Sequence, residues 1–169
     1  QWLDGVALIA APGLSLAYSD VHGNIALCAC GYFPVRLRGQ GRVPLDGASG
    51  DYDWTEMIPV AEMPLTVNPP QGFVASANGR PTPVGYPHYI GWMWDPSYRK
   101  RRIDEMLAPV ENITLEQMKV LHYDHYDKAA ERFVPVWVDV VKAAGVDDVF
   151  SRRVIDALAK WDFVADADA

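Results

Sequence analysis

The chain changes character at Pro96, and that change limits the folds open to it. Residues 1–95 read as strands and loop, whereas residues 96–165 read as helices. Strand-forming and helix-forming sequence that is segregated along the chain, not alternating, calls for an α+β fold. Residues 14–32, LSLAYSDVHGNIALCACGY, hold two β-rich runs joined at Asp20-Val21-His22-Gly23-Asn24. Gly and Asn there supply turn chemistry, which predicts an antiparallel hairpin. From Phe33 to Pro70 the sequence is punctuated by Gly39, Gly41, Gly47 and Gly50, and no period of two or 3.6 residues persists. A long ordered loop is expected there, with one short strand near Met57-Ile58; loops of that length are often functional or wrap another part of the molecule. Residues 73–77 are expected to form a further short strand, ahead of the aromatic-rich YPHYIGWMW of positions 86–94.

The second half has clearer signals. A helix is predicted from Ser97 through Arg102, Ile103, Met106 and Leu107, stopped by Pro109. Thr114-Leu115-Glu116-Gln117 is a capping box, so a second helix should run from 115 to about 125. A third covers 128–144 with a break or kink near Pro135, and a fourth covers 151–160. The chain is expected to be a single partial domain over residues 1–169, without internal repeats.

Bulk properties exclude several classes of partner. Half of the 169 residues are hydrophobic, which argues for a packed fold over disorder. The net charge of −7 and pI near 4.9 oppose a general nucleic-acid or anionic-membrane binder, because counterion-release binding needs a basic surface. No apolar run approaches the roughly 20 residues that cross a bilayer, and no signal peptide is visible. The sequence opens on Gln1-Trp2-Leu3 without Met and closes on Ala165-Asp166-Ala167-Asp168-Ala169, so both ends read as cuts from a longer protein.

Candidate chemistry is sparse. Cys28 and Cys30 share one face of a strand and read as buried small hydrophobes. His122 and His125, with Asp124 or Asp127, are the most metal-like group, since positions three apart on a helix share a face. They lack the HExxH spacing, and caps or surface residues are the plainer reading. Arg99-Lys100-Arg101-Arg102 reads as a solvated face that pairs with Asp95, Asp104 or Glu105, with Arg99 a candidate for the buried member. Gly47-Ala48-Ser49-Gly50-Asp51 is a near miss to a serine elbow and reads as a turn. Asn78-Gly79 would ordinarily signal a hairpin turn. Pro81 and Pro83 deny a returning strand two donors, so Asn78 is expected to end a strand and enter a fixed loop. An Asn amide so placed can donate to a developing oxyanion.

Taken in order, these blocks resemble the penicillin acylase family of N-terminal nucleophile hydrolases. The resemblance runs through Tyr18-Ser19-Asp20-Val21-His22-Gly23-Asn24-Ile25, Gly41-Arg42-Val43-Pro44 and Tyr52-Asp53-Trp54. It continues through Asn68-Pro69-Pro70-Gln71-Gly72-Phe73-Val74-Ala75 with Asn78, then Tyr86-Pro87, Trp94-Asp95-Pro96 and Tyr98-Arg99 with Arg102-Ile103, and ends at Trp161-Asp162. Each block is weak alone, but their order and spacing hold from about residue 12 to 165.

The resemblance implies part of an αββα sandwich, and an amidohydrolase that cleaves linear amides by acyl transfer. Family members mature by self-cleavage, which exposes a nucleophile whose own α-amino group serves as its base. That nucleophile would lie upstream of Gln1, so none is expected in this chain, which then corresponds to an internal segment of the β subunit and is inactive by itself. By the same resemblance, Asn78 matches the oxyanion-hole asparagine and Arg99 the active-site arginine that supports it. Some relatives bind calcium through an aspartate near the position of His88 and a backbone carbonyl near Gly41; lacking that carboxylate, this chain is expected to hold no metal or other cofactor. The implied partners are the rest of the precursor, that is, the α subunit and the N-terminal part of the β subunit, together with a small-molecule amide. The implied compartment is the periplasm or beyond. Acyl-chain specificity does not carry over. A non-catalytic binding or structural module that keeps the scaffold is the alternative from another class.

Overall fold

The computed structural model describes residues 1–167, which form two compact units, one over Gln1–Pro96 and one beginning at Ser97. In the first unit, α1 (Trp2–Val6) precedes the predicted hairpin of β1 (Leu14–Ser19) and β2 (Ile25–Cys30). The two strands pair antiparallel without slippage, from Leu14 opposite Cys30 to Ser19 opposite Ile25. Asp20 sets the turn: one carboxylate oxygen accepts the His22 and Asn24 backbone N–H groups, both at 2.9 Å, and the other accepts the Asn24 side-chain amide at 2.8 Å. Gly23 takes the left-handed φ of 83° that closes it.

A third strand, β5 (Leu65–Val67), pairs antiparallel with the other edge of β2, giving the order β1-β2-β5. Central β2 is therefore paired along both edges, and its side chains alternate between two packed faces. Cys28 and Cys30 face Val6 of α1, with Trp2, Ile9 and Leu16 around them. Ala29 faces the opposite way, onto Ile58 and Met63, with Phe33, Val35 and Ile90 at the margin. Both cysteines are free and buried, as expected from their spacing.

The segment expected to be one long loop contains more structure than its sequence suggests. Within 33–70 lie β3 (Pro34–Arg36), β4 (Trp54–Met57), a 3-10 turn (Val60–Glu62) and β5. β3 and β4 form a separate antiparallel pair, bulged between Val35 and Arg36. Strands of three or four residues leave no readable alternation, and non-local pairing makes them. Residues 73–77, expected as a strand, are irregular. Both places beside β2 are already filled by β1 and β5, and prolines flank the segment on either side.

The second unit is helical: α2 (Tyr98–Leu107), α3 (Leu115–His122), α4 (Lys128–Ala143) and α5 (Val149–Leu158). Thr114 and Gln117 form the predicted capping box at α3. Asp127 caps α4 by accepting the N–H groups of Ala129 and Ala130, and Asp148 caps α5 by accepting that of Ser151. The α5 cap lies upstream of the expected start, which moves that helix earlier. α4 runs on through Pro135, which merely deprives the Glu131 carbonyl of its helical donor, and buries Val134 and Val138 one turn apart.

Candidate functional site

Asn78 follows buried Ala77, and its backbone sits at φ 57°, the left-handed region that Asn tolerates better than other residues with a side chain. Its carbonyl accepts the Asp95 N–H at 2.9 Å. That bond closes a compact loop from 78 to 95, cross-braced by the Arg80 to Thr82 side-chain bond at 2.7 Å and by the Tyr86 hydroxyl donating to the Glu62 carbonyl at 2.8 Å. Asn78 therefore sits at the neck of a braced loop instead of the end of a strand, and its side chain is exposed in this chain. A residue held in a sparsely populated backbone region by its surroundings is a common feature of functional positions.

Arg99 lies in the first turn of α2, behind Ser97, whose own φ is 69°. It lines an open cleft of about 300 Å³ in the second unit, together with Tyr98, Asp124, Tyr126 and Lys128. Within this chain Arg99 is exposed, and the half-buried members of the basic run are Lys100, which pairs with Asp104, and Arg102. The reason is geometric: Arg102 finds both Asp124 and the Tyr126 ring, the latter 4.6 Å from its guanidinium carbon. Sequence reasoning missed this pair because its members are 22 positions apart. Asn78 belongs to the first unit and Arg99 to the second.

The cleft is electrostatically dense. Hydrogen bonds from Arg102 hold the Asp124 carboxyl below its ordinary range, and the same bonds push the Arg102 guanidinium above its own. Lys128 is drawn upward by hydrogen bonds to Glu131 and then Glu105. The Tyr126 hydroxyl, which donates to Glu131 at 2.9 Å, is raised mainly by burial. These shifts belong to a closed set of ion pairs that fastens α2 to α4, and not to a proton-transfer site.

The metal-like group does not assemble. α3 ends at His122, so His122 and His125 do not share a helical face. Asp124 is engaged by Arg102, Asp127 caps α4, and His125 pairs with Asp166 at 2.9 Å. Among the described residues no group of three or more His, Cys, Asp or Glu is placed to hold a metal ion. His88 presents a ring nitrogen to the Glu62 carboxylate. Ser49 is a turn residue, as expected, with its hydroxyl donating to the Asp46 carbonyl at 3.2 Å.

Comparison with known proteins gives a consistent result. The family profile described as penicillin amidase matches residues 1–169. The chain is 27% identical over 150 residues to penicillin G acylase of Escherichia coli, covering 86% of this chain and 17% of that protein. It is 31% identical over 149 residues to the acyl-homoserine lactone acylase QuiP of Pseudomonas syringae pv. tomato, covering 88% and 17%. The penicillin acylase 2 proenzyme of Pseudomonas sp. (strain SE83) is 32% identical over 110 residues, 65% of this chain and 14% of its own length. The chain thus spans about one sixth of these relatives. Among solved structures, a thermostable penicillin G acylase from Alcaligenes faecalis superposes with a TM-score of 0.73 at 21% identity, over 98% of this chain and 30% of that one. The fold is therefore the expected α+β type, part of the N-terminal nucleophile hydrolase architecture.

Proposed function

The chain belongs to the penicillin amidase family, and on that premise we propose that it is the oxyanion-stabilising segment of an amidohydrolase acting on linear amides. The parent enzyme forms an acyl-enzyme on an N-terminal nucleophile outside this chain. The Asn78 side-chain amide donates to the oxyanion that develops as the carbonyl is attacked, and Arg99 helps to hold the Asn and the nucleophile's amine. The chain alone has no nucleophile and is inactive. Its partners are the other parts of the same precursor, and the periplasm or beyond is the compartment that the family resemblance implies.

The observation that carries this reading is the backbone of Asn78, pinned at φ 57° by the Asp95 N–H at the neck of a braced loop. Such preorganisation is what an oxyanion donor requires, because the donor must not reorganise as charge develops. The test is Asn78→Ala in the parent protein, assayed on a panel of amides that differ in acyl chain. Turnover should fall by about 100- to 1,000-fold while the fold persists. Unchanged turnover would remove the assignment. The panel also identifies the acyl group preferred.

A further inference from the structure

The loop closed by Asn78 and Asp95 carries a second feature that the oxyanion role does not use. Arg42 follows two left-handed glycines, Gly39 at φ 66° and Gly41 at φ 67°, which deliver its side chain to the aromatic stretch. Its guanidinium carbon stands 5.3 Å from the ring centre of Trp92 and 5.9 Å from that of Tyr89. The platform under it is fixed. Ile90, between Tyr89 and Trp92, packs on the cluster of Ala29, Ile58 and Met63. Gly91, at φ 157°, lies so close to the Trp94 ring that an added Cβ would stand 2.8 Å from it.

Two donors in this cluster have no protein partner among the described residues, one exposed to solvent and one buried. Among the described residues Arg42 makes no hydrogen bond or ion pair, whereas Arg38 pairs with Asp51 and Arg102 with Asp124. The Tyr89 hydroxyl is buried and has no hydrogen-bond partner among the described residues. A buried hydroxyl without a partner is costly, and a guanidinium stacked on aromatic faces keeps its planar fork of N–H groups free for two oxygens at once.

We propose that Arg42, Tyr89 and Trp92 form a carboxylate-binding site. The planar pair of oxygens of a carboxylate matches the guanidinium fork, while the rings hold that fork in place from behind. The carboxylate has two available sources. One is an Asp or Glu side chain from the rest of the parent polypeptide, five-sixths of which lies outside this chain in its relatives. The other is a small carboxylate, and hydrolysis of a linear amide releases one; only this source rests on the function proposed above.

The experiment uses the parent protein, unaltered and as Arg42→Gln and Arg42→Lys, titrated with sodium acetate against sodium chloride of equal ionic strength. Intrinsic tryptophan fluorescence and the thermal midpoint are recorded. A small-molecule site gives a saturable, acetate-specific fluorescence change, and Arg42→Gln needs about tenfold more acetate, with an unaltered midpoint in chloride. An internal carboxylate gives no acetate response; instead Arg42→Gln lowers the midpoint by several degrees, and Arg42→Lys, which keeps the charge but loses the fork, recovers only part. Either result supports the site and identifies its occupant. Arg42→Gln that changes neither acetate response nor midpoint overturns it. Both readouts are independent of turnover, so loss of the Asn78 assignment would leave this test intact.

Discussion

The Arg102 guanidinium grips the Asp124 carboxylate through two parallel bonds, Nε to Oδ2 at 2.7 Å and Nη2 to Oδ1 at 2.6 Å. This fork joins α2 to the short segment that links α3 and α4, so one side chain organises three helices. Both partners are only partly exposed, which lets the pair contribute more than a surface salt bridge does. Arg102→Ala should destabilise the fold by about 1–2 kcal/mol, and Arg102→Lys by nearly as much, because a point charge cannot make the fork. Denaturant unfolding of the parent protein measures both.

The same pair gives the stability a pH dependence of defined sign. The folded-state pKa of Asp124 is lowered, chiefly by the Arg102 hydrogen bonds, so the folded form binds this proton less readily than the unfolded chain. The contribution is therefore complete above the ordinary aspartate value of about 3.9 and is lost as the pH falls through the lowered folded value. Unfolding midpoints taken between about pH 2 and 6 should decline toward acid, and Arg102→Ala should flatten that decline. An equally steep acid decline in the variant would assign the dependence to other carboxylates.

At Asn78, backbone and amide can be tested separately. Asn78→Gly keeps easy access to φ 57° and removes the amide, so under the proposed function amide turnover by the parent protein should fall with little change in stability. Asn78→Ala removes the amide and also strains the backbone, which adds a stability loss of about 1 kcal/mol. Equal stability of the two variants would mean that the left-handed backbone carries no strain.

Asn68 should behave as a structural clamp. Its side-chain oxygen accepts the Ile25 N–H at 2.9 Å, and its amide donates to Asn24 at 3.0 Å, so it ties the end of β5 to the start of β2. Asn68→Ala should cost about 1–2 kcal/mol and speed hydrogen exchange at the Ile25 amide. Exchange at α4 amides should be unaffected.

The parts legible in the sequence are those with local causes. The β1-β2 hairpin announced itself through Asp20, Gly23 and Asn24, and α3 through the reciprocal bonds of Thr114 and Gln117, because those interactions lie within five residues of one another. β3, β4 and β5 were invisible or half visible, since strands this short exist only through distant partners. The strand expected at 73–77 failed for the same reason in reverse: its residues suit a strand, but the places beside β2 are occupied. At the candidate site, the Asn-Gly-Arg-Pro run pointed to a fixed loop, and the bond from Asp95 that fixes it is non-local. Arg102 exceeded Arg99 in burial because of Asp124 and Tyr126, whose positions no helical period of α2 encodes.

The pair of free thiols on β2 supplies a built-in reporter of hairpin opening. Burial raises the Cys28 thiol above its ordinary pKa, so a thiol reagent meets a group that is both hidden and protonated while the sheet is closed. Labelling proceeds when the packing against α1 opens, and at reagent concentrations that outrun reclosing its rate reports how often that happens. The opening of the sheet beside the loop closed by Asn78 and Asp95 can thus be followed in the unaltered protein, with no probe introduced.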